Sequence, residues 1–421
     1  MKIIFAPMAS SSLAHMARLF AIADEIRNRG HKFLFTSTHD RKEFIEKSGY
    51  EVYSRTYLPV NFNDPKDQSL NYLKEKREHF KDWFNTEIEA ATTFDADLIV
   101  TSPGFLGPHV TLKTGIPTLS ILNAPYLAES TGVLGLSLTE NTLKNKLLKS
   151  FLNPIFEKKF TKQYLSEVLD IYNELGIDFF GYTKADLYDC MDVVIPSVYE
   201  LEPITPKDKY YYSGPLFWEG FENNFEFDEK KIKEFKGDSK LIYLSFGGSI
   251  FNLDFYNHIF EVIGKLPYKF LVSTGNNFEI KDFKYNHDNT MIYKFVPGLK
   301  ACKICDLLIN TGSHGTIMQA LRYAKPLICI PCNIDQSYFA YRIEELGLGL
   351  NINKTSIAKF SKRESYYKLN PNLDQMIIDG INELLTNNKY RLNALKFSVK
   401  IRKLGNGAKN IANYIESRYG D

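Results

Sequence analysis

Short, almost wholly apolar stretches alternate with amphipathic ones along this chain, and the plan occurs twice. In the first half "KIIFAPM", "KFLFTST", "EVYSR", "DADLIVTS", "IPTLSIL" and "DVVIPS" read as strands. Between the first two, Leu13 to Arg29 places Leu13, Met16, Ala17, Phe20 and Ile26 on one side of a helix that Gly30 stops. Residues 66–93 and most of 128–190 read as helical. The second half starts afresh with "KLIYLSFGGSI", then "YKFLVST", "TMIYKFV", "DLLIN" and "PLICIP", with helices between and a helical tail. Strands apolar along their whole length need cover on both faces. Helices between them supply it, so each half is expected to be a doubly wound parallel sheet.

The expected domains are 1–196, a linker at 197–220, a second sheet domain at 221–400, and a helix at 401–421 with the option of crossing back to the first domain. The linker stretch "VYELEPITPKDKYYYSGPLFWEG" has three prolines and few helical signals.

Bulk composition excludes several functions. Of 421 residues, 52 are Lys or Arg and 50 Asp or Glu, a net charge of +2. Net charge therefore gives no case for nucleic acid or an anionic membrane, although "SVKIRKL" is a local basic patch. No apolar run reaches the roughly 18 residues of a membrane span, and the start is too short for a signal peptide. The expectation is a cytoplasmic protein without a transmembrane segment, monomeric or homodimeric. Cys302 and Cys305 precede one strand, and Cys329 and Cys332 end the next. In parallel strands the pairs stand roughly 15 Å apart, too far for one zinc ion, so free thiols are expected.

Open parallel sheets bind ligands at the carboxyl ends of their strands. Here those ends carry Ser10 to Ser12 with His15, Ser102 to Gly104, Gly247 to Ser249, Thr311 to Thr316, and Asn333 to Gln336. The most informative is "NTGSHGTIMQALRYAKP". Its small residues let backbone N–H groups approach a ligand, and the helix it opens adds about half a positive charge at its start. Such a turn suits a diphosphate, but a glycine-rich turn alone is weak evidence.

The longer stretch around this turn is more specific. "FVPGLKACKICDLLINTGSHGTIMQALRYAKPLICIPCNIDQSYFAYRIEELGLG" resembles the donor-binding signature of the family 1 nucleotide-sugar glycosyltransferases. "LIYLSFGGS", "HMARLFAIADEIRNRGHKFLF" and "SGPLF" resemble other parts of that family, so the match is near whole-chain, weakest over 55–95 and 128–190. The fold implied is α/β of the GT-B kind: two Rossmann-like domains facing across a cleft.

The resemblance implies roles residue by residue. His15 takes the place of the general base that deprotonates the acceptor hydroxyl; imidazole, titrating near neutrality, suits that task. Ser102 stands where the family has an aspartate to orient the histidine. A serine can hydrogen-bond imidazole but cannot stabilise imidazolium by charge. Phe295 would stack on the nucleotide base, with Val296 backbone groups at its edge. Gly248, Ser249, Gly312, Ser313, Gly315 and Thr316 would hold the diphosphate. Thr311 falls where a phosphate-contacting histidine is usual, with His314 as a candidate substitute. Gln319 takes the place of a ribose-binding glutamate, and Asp335 and Gln336 match the pair that contacts sugar hydroxyls.

The activity implied is inverting, metal-independent hexosyl transfer from a UDP- or dTDP-sugar to a hydroxyl of a small or lipophilic acceptor. The nucleotide sugar is a co-substrate, and no cofactor or metal is expected. Two other readings stay open. One is a non-catalytic relative acting as a binding partner, favoured by Ser102 and Thr311. The other is a nucleotide-sugar epimerase on the same architecture.

Overall fold

In the computed structural model of the chain, Ile3, Ile4, Phe5 and Ala6 are all fully buried. Strand β1 (Lys2–Pro7) is therefore covered on both faces, as its uninterrupted apolar run requires. Residues described are 1–7, 13–37, 39–55, 77–102, 108–127, 165–181, 184–220, 227–247, 252–275, 277–284, 287–332, 334–352 and 372–420. They form two units, the second being Phe221–Leu404 and the first the described residues up to Gly220 together with Gly405–Asp421.

The first unit holds β1 with β2 (Lys32–Phe35), β3 (Leu98–Ser102), β4 (Thr118–Ile121), β5 (Asp192–Ile195) and β6 (Tyr210–Tyr212). Their order across the sheet is β2-β1-β3-β4-β5-β6, and every pairing is parallel. Helix α1 (Leu13–Asn28) buries Met16, Leu19, Phe20, Ala23 and Ile26 on one face of this sheet. The C-terminal helix, Gly407–Tyr419, adds Ile411, Ala412 and Ile415 to the same core. Helices α2 (Arg77–Thr93) and α3 (His109–Thr114) pack on each other within this unit.

Two elements differ from expectation. "EVYSR" forms only an isolated bridge, Val52 with Phe35, rather than a strand. Inside the stretch read as a linker, Tyr210–Tyr212 form the sheet's edge strand and Trp218 packs on Phe20 with ring centroids 4.8 Å apart.

The second unit repeats the plan with β7 (Leu241–Ser245), β8 (Lys269–Ser273), β9 (Thr290–Tyr293), β10 (Leu307–Asn310), β11 (Leu327–Cys329) and β12 (Gly349–Asn351). Their order is β12-β11-β10-β7-β8-β9, again all parallel. Helix α4 (Leu253–Ile263) buries Phe255, Tyr256, Ile259 and Phe260 in this unit's core. Helices α5 (Gly298–Ile304), α6 (His314–Arg322), α7 (Ile334–Glu345), α8 (Leu373–Thr386) and α9 (Asn388–Leu404) complete the cover.

In each sheet the first strand has its sequence neighbour on one side and a later strand on the other. The chain therefore reverses direction of winding between β1 and β3, and between β7 and β10. Such switch points leave a crevice at the carboxyl ends of the two strands, where ligands bind in open α/β sheets.

Candidate functional site

At the first switch point Pro7 of β1 lies opposite Ser102 of β3. The chain leaving β1 enters α1, whose third residue is His15. This brings the His15 Nδ1 to 3.2 Å from the fully buried Ser102 Oγ. The Ser102 hydroxyl in turn stands 3.3 Å from the carbonyl oxygen of Ile121 on β4. That carbonyl can only accept, so it takes the one proton of the serine. The serine oxygen then accepts from Nδ1–H, which leaves the Nε2 of neutral imidazole with its lone pair. With that assignment Ser102 accepts from the ring where a carboxylate would, without its charge. Ser10 to Ser12 lie outside the described residues.

At the second switch point Asn310 of β10 lies opposite Ser245 of β7. Gly248 and Ser249, after β7, lie outside the described residues. After β10 the turn is well defined. The fully buried Asn310 side chain accepts the Gly312 N–H at 2.5 Å, folding the chain back over the strand end. Gly312 has φ +87°, the left-handed region that favours glycine. Ser313 is the N-cap of α6, in extended conformation, and its carbonyl accepts from Ile317 N–H at 3.0 Å. Its hydroxyl makes no capping bond. Ser313 therefore gives the first-turn N–H groups of α6 no side-chain cap of its own. Around Gly315 no heavy atom stands within 4 Å of where a Cβ would be, so backbone there is open to approach. Thr311 and His314 are buried, and the His314 ring packs 5.1 Å from that of Phe339.

Other residues singled out from the sequence have structural partners. The Val296 carbonyl accepts from the Tyr243 hydroxyl at 3.4 Å. Phe295, just before it, is half-buried. Gln319 reaches across to the first residue of α5: a Cβ on Gly298 would collide with its Oε1. The Gln336 side chain is buried and its Oε1 accepts from Cys332 N–H at 2.7 Å, bracing the β11–α7 turn. Asp335, beside it in the first turn of α7, is half-buried.

Asn310 was not singled out from the sequence. An Asn ending a strand before Thr-Gly-Ser is the available signal, because its side chain favours turns. A second missed group lies in the first unit. Glu87 of α2 accepts from Trp83 Nε1 at 2.5 Å and from His109 Nε2 at 2.8 Å, all three being buried. The His109 ring stacks on Phe84, with centroids 4.2 Å apart. Trp83 and Glu87 at i, i+4 gave half of the signal.

The cysteine pairs lie at opposite edges of the second sheet. Asn310 pairs with Cys329 in parallel register, so Cys305 lies before the start of β10 and Cys329 at the far end of β11. All five thiols are free, and burial pushes that of Cys329 up to about 12. It is therefore a thiol, not a thiolate, at neutral pH. Among the described residues no group of three or more His, Cys, Asp or Glu is placed to hold a metal ion. No helix among them is long and apolar enough to cross a membrane.

Residues 244–378 match the family model of the glycosyltransferase family 28 C-terminal domain. The NDP-glycosyltransferase YjiC of Bacillus licheniformis is 20% identical over 358 residues, covering 83% of this chain and 85% of that protein. The chain is a glycosyltransferase with the GT-B fold, similar to enzymes of the family 1 kind. Solved structures repeat the fold of this glycosyltransferase over its whole length. The glycotransferase of kitacinnamycin superposes with a TM-score of 0.71 at 15% identity, covering 99% of this chain and 98% of that one. The glycosyltransferase VinC in complex with dTDP superposes with a TM-score of 0.65 at 14% identity, covering 99% of both chains.

Proposed function

We propose that this glycosyltransferase moves a hexose from a UDP- or dTDP-sugar to a hydroxyl of a small or lipophilic acceptor, with inversion and without a metal. The observation that carries this reading is the His15–Ser102–Ile121 chain of hydrogen bonds at a strand-end switch point. A basic Nε2 held by a fixed ring is what an acceptor hydroxyl needs. Its proton passes to Nε2 as its oxygen attacks the anomeric carbon from the face opposite the leaving group. The bond from that carbon to the diphosphate oxygen breaks, and the nucleoside diphosphate leaves with the electron pair. One-step displacement of this kind inverts the anomeric centre. The imidazolium then returns its proton to solvent.

The start of α6, where Ser313 supplies no side-chain cap, and the open space at Gly315 support a diphosphate there. Fixed N–H dipoles there would meet the charge growing on the leaving group, so a divalent cation is dispensable. Phe295 offers a face for the base, since stacking tolerates Phe. The dTDP held by VinC favours a pyrimidine nucleotide.

Thermal unfolding with UDP, dTDP, GDP and ADP tests the donor half. A ligand at about 100 times its Kd adds about 2.7 kcal/mol. The expected result is stabilisation by a pyrimidine diphosphate, unchanged by EDTA and lost in Gly315→Asp. His15→Ala tests the base: nucleotide binding stays and turnover falls about 10²–10⁴-fold. No shift with any nucleotide overturns the donor assignment. Full turnover in His15→Ala overturns the base.

A further inference from the structure

We propose that the outward face of α9 docks on anionic lipid surfaces. The helix turns Ala394, Phe397, Ser398 and Ile401 inward, packing against α6, where Ser398 Oγ donates to the Arg322 carbonyl at 2.6 Å. Opposite that stripe stand Leu392, Leu395 and Val399, spaced i, i+3, i+7 and 55%, 47% and 41% exposed. Among the described residues seven large apolar side chains are exposed, and Leu404 makes four of them on this one helix. Scattered apolar side chains on a surface need no explanation, but a row of them on one helix does.

The same helix carries six exposed cations and no Asp or Glu, in a chain whose net charge is only +2. Helical spacing puts Lys396 and Lys403 next to the apolar row. Lys389 and Lys400 then flank it on one side, Arg391 and Arg402 on the other. An apolar ridge between two rows of cations is the profile of a helix lying in a membrane interface. The Leu and Val side chains enter the acyl boundary, and the long basic side chains reach headgroup phosphates. Other occupants fit one half of this profile only. Nucleic acid would pair the cations and leave the leucines in water. A second copy of the same face would bring six cations against six.

Sedimentation of the full chain with vesicles tests this, using phosphatidylcholine alone against an equimolar mixture with phosphatidylglycerol. The expected result is binding to the mixed vesicles, little to phosphatidylcholine alone, and release as salt is raised. The variant Lys396→Gln/Lys400→Gln/Lys403→Gln should bind the mixed vesicles on the order of 100-fold more weakly. Leu392→Ser/Leu395→Ser/Val399→Ser should also lose binding. All six side chains are exposed and outside the donor turn, so both variants should keep the parent Tm and nucleotide binding. Equal binding to both vesicle types, salt-independent binding, or unchanged binding by both variants overturns the proposal. A solution dimer abolished by the apolar variant, or a nucleic acid bound more tightly than the mixed vesicles, overturns it as well.

Discussion

A Cβ on Gly312 would stand 2.6 Å from the carbonyl oxygen of Gln336. The turn after β10 and the first turn of α7 therefore touch backbone to backbone, and the buried Gln336 side chain ties the same spot to Cys332. Two segments from neighbouring strand ends are thus packed directly on each other. Gly312→Ala meets both this contact and the positive φ, and it should cost about 2–4 kcal/mol. Gly315→Ala, with open space around it, should cost nothing or gain up to about 1 kcal/mol. Comparing the two Tm values checks the account, and equal losses would refute it.

In the proposed reaction Ser102 positions His15 through a neutral hydrogen bond, worth about 0.5–1.5 kcal/mol. Ser102→Ala should therefore lower kcat by roughly 3–10-fold, with the KM for donor unchanged. Steady-state kinetics decide it. A loss as large as that of His15→Ala would mean that Ser102 touches the reacting atoms, and no loss that it does not orient the ring.

Glu87 is the shared acceptor for two buried donors. Glu87→Ala strands both the Trp83 and His109 N–H groups without water, at a cost of about 3–5 kcal/mol. The urea midpoint should fall with the m-value unchanged. A loss under about 1 kcal/mol would show that the site relaxes or admits water.

Asp306 joins strand starts in the second unit. Burial pushes its carboxyl up, but bonds from Lys236 Nζ at 2.8 Å and Leu241 N–H at 3.0 Å, with Lys240 nearby, outweigh that and hold it below the usual range. A carboxyl whose folded value is depressed adds stability above its unfolded value, about 4, and loses it as pH falls through the folded value. Asp306→Asn should thus be less stable than the parent at pH 7, with the difference shrinking as pH falls through the folded value. A difference that persists at low pH would trace to packing instead.

The two-sheet plan was legible because strands buried on both faces must be apolar throughout, and Ile3 to Ala6 obey that. The edges were not. "EVYSR" alternates like a strand yet finds only one bridge, whereas Tyr210–Tyr212, among prolines, pairs with β5 because β5 offers a free edge. One strand-end cluster, Thr311 to Thr316, falls on the turn between β10 and α6. The hydrogen bonds inside the loops were hidden, because Asn310 to Gly312 and Gln336 to Cys332 depend on how each loop folds back. The Glu87–His109 pair joins residues 22 apart, a separation that no local pattern reports.

The helix Gly407–Tyr419 gives the first unit a debt to a distant part of the chain. Arg29, just past α1, bonds Glu416 and Asn413, and Ile411, Ala412 and Ile415 sit beside Phe20 and Ile22 in one core. On the ribosome, the first sheet can be laid down early, but its apolar flank stays open until this helix emerges. The described residues of the second unit are all made before the first one closes. Biosynthesis thus finishes the later unit before the earlier, and a chain cut after Leu404 would expose the first core rather than the last.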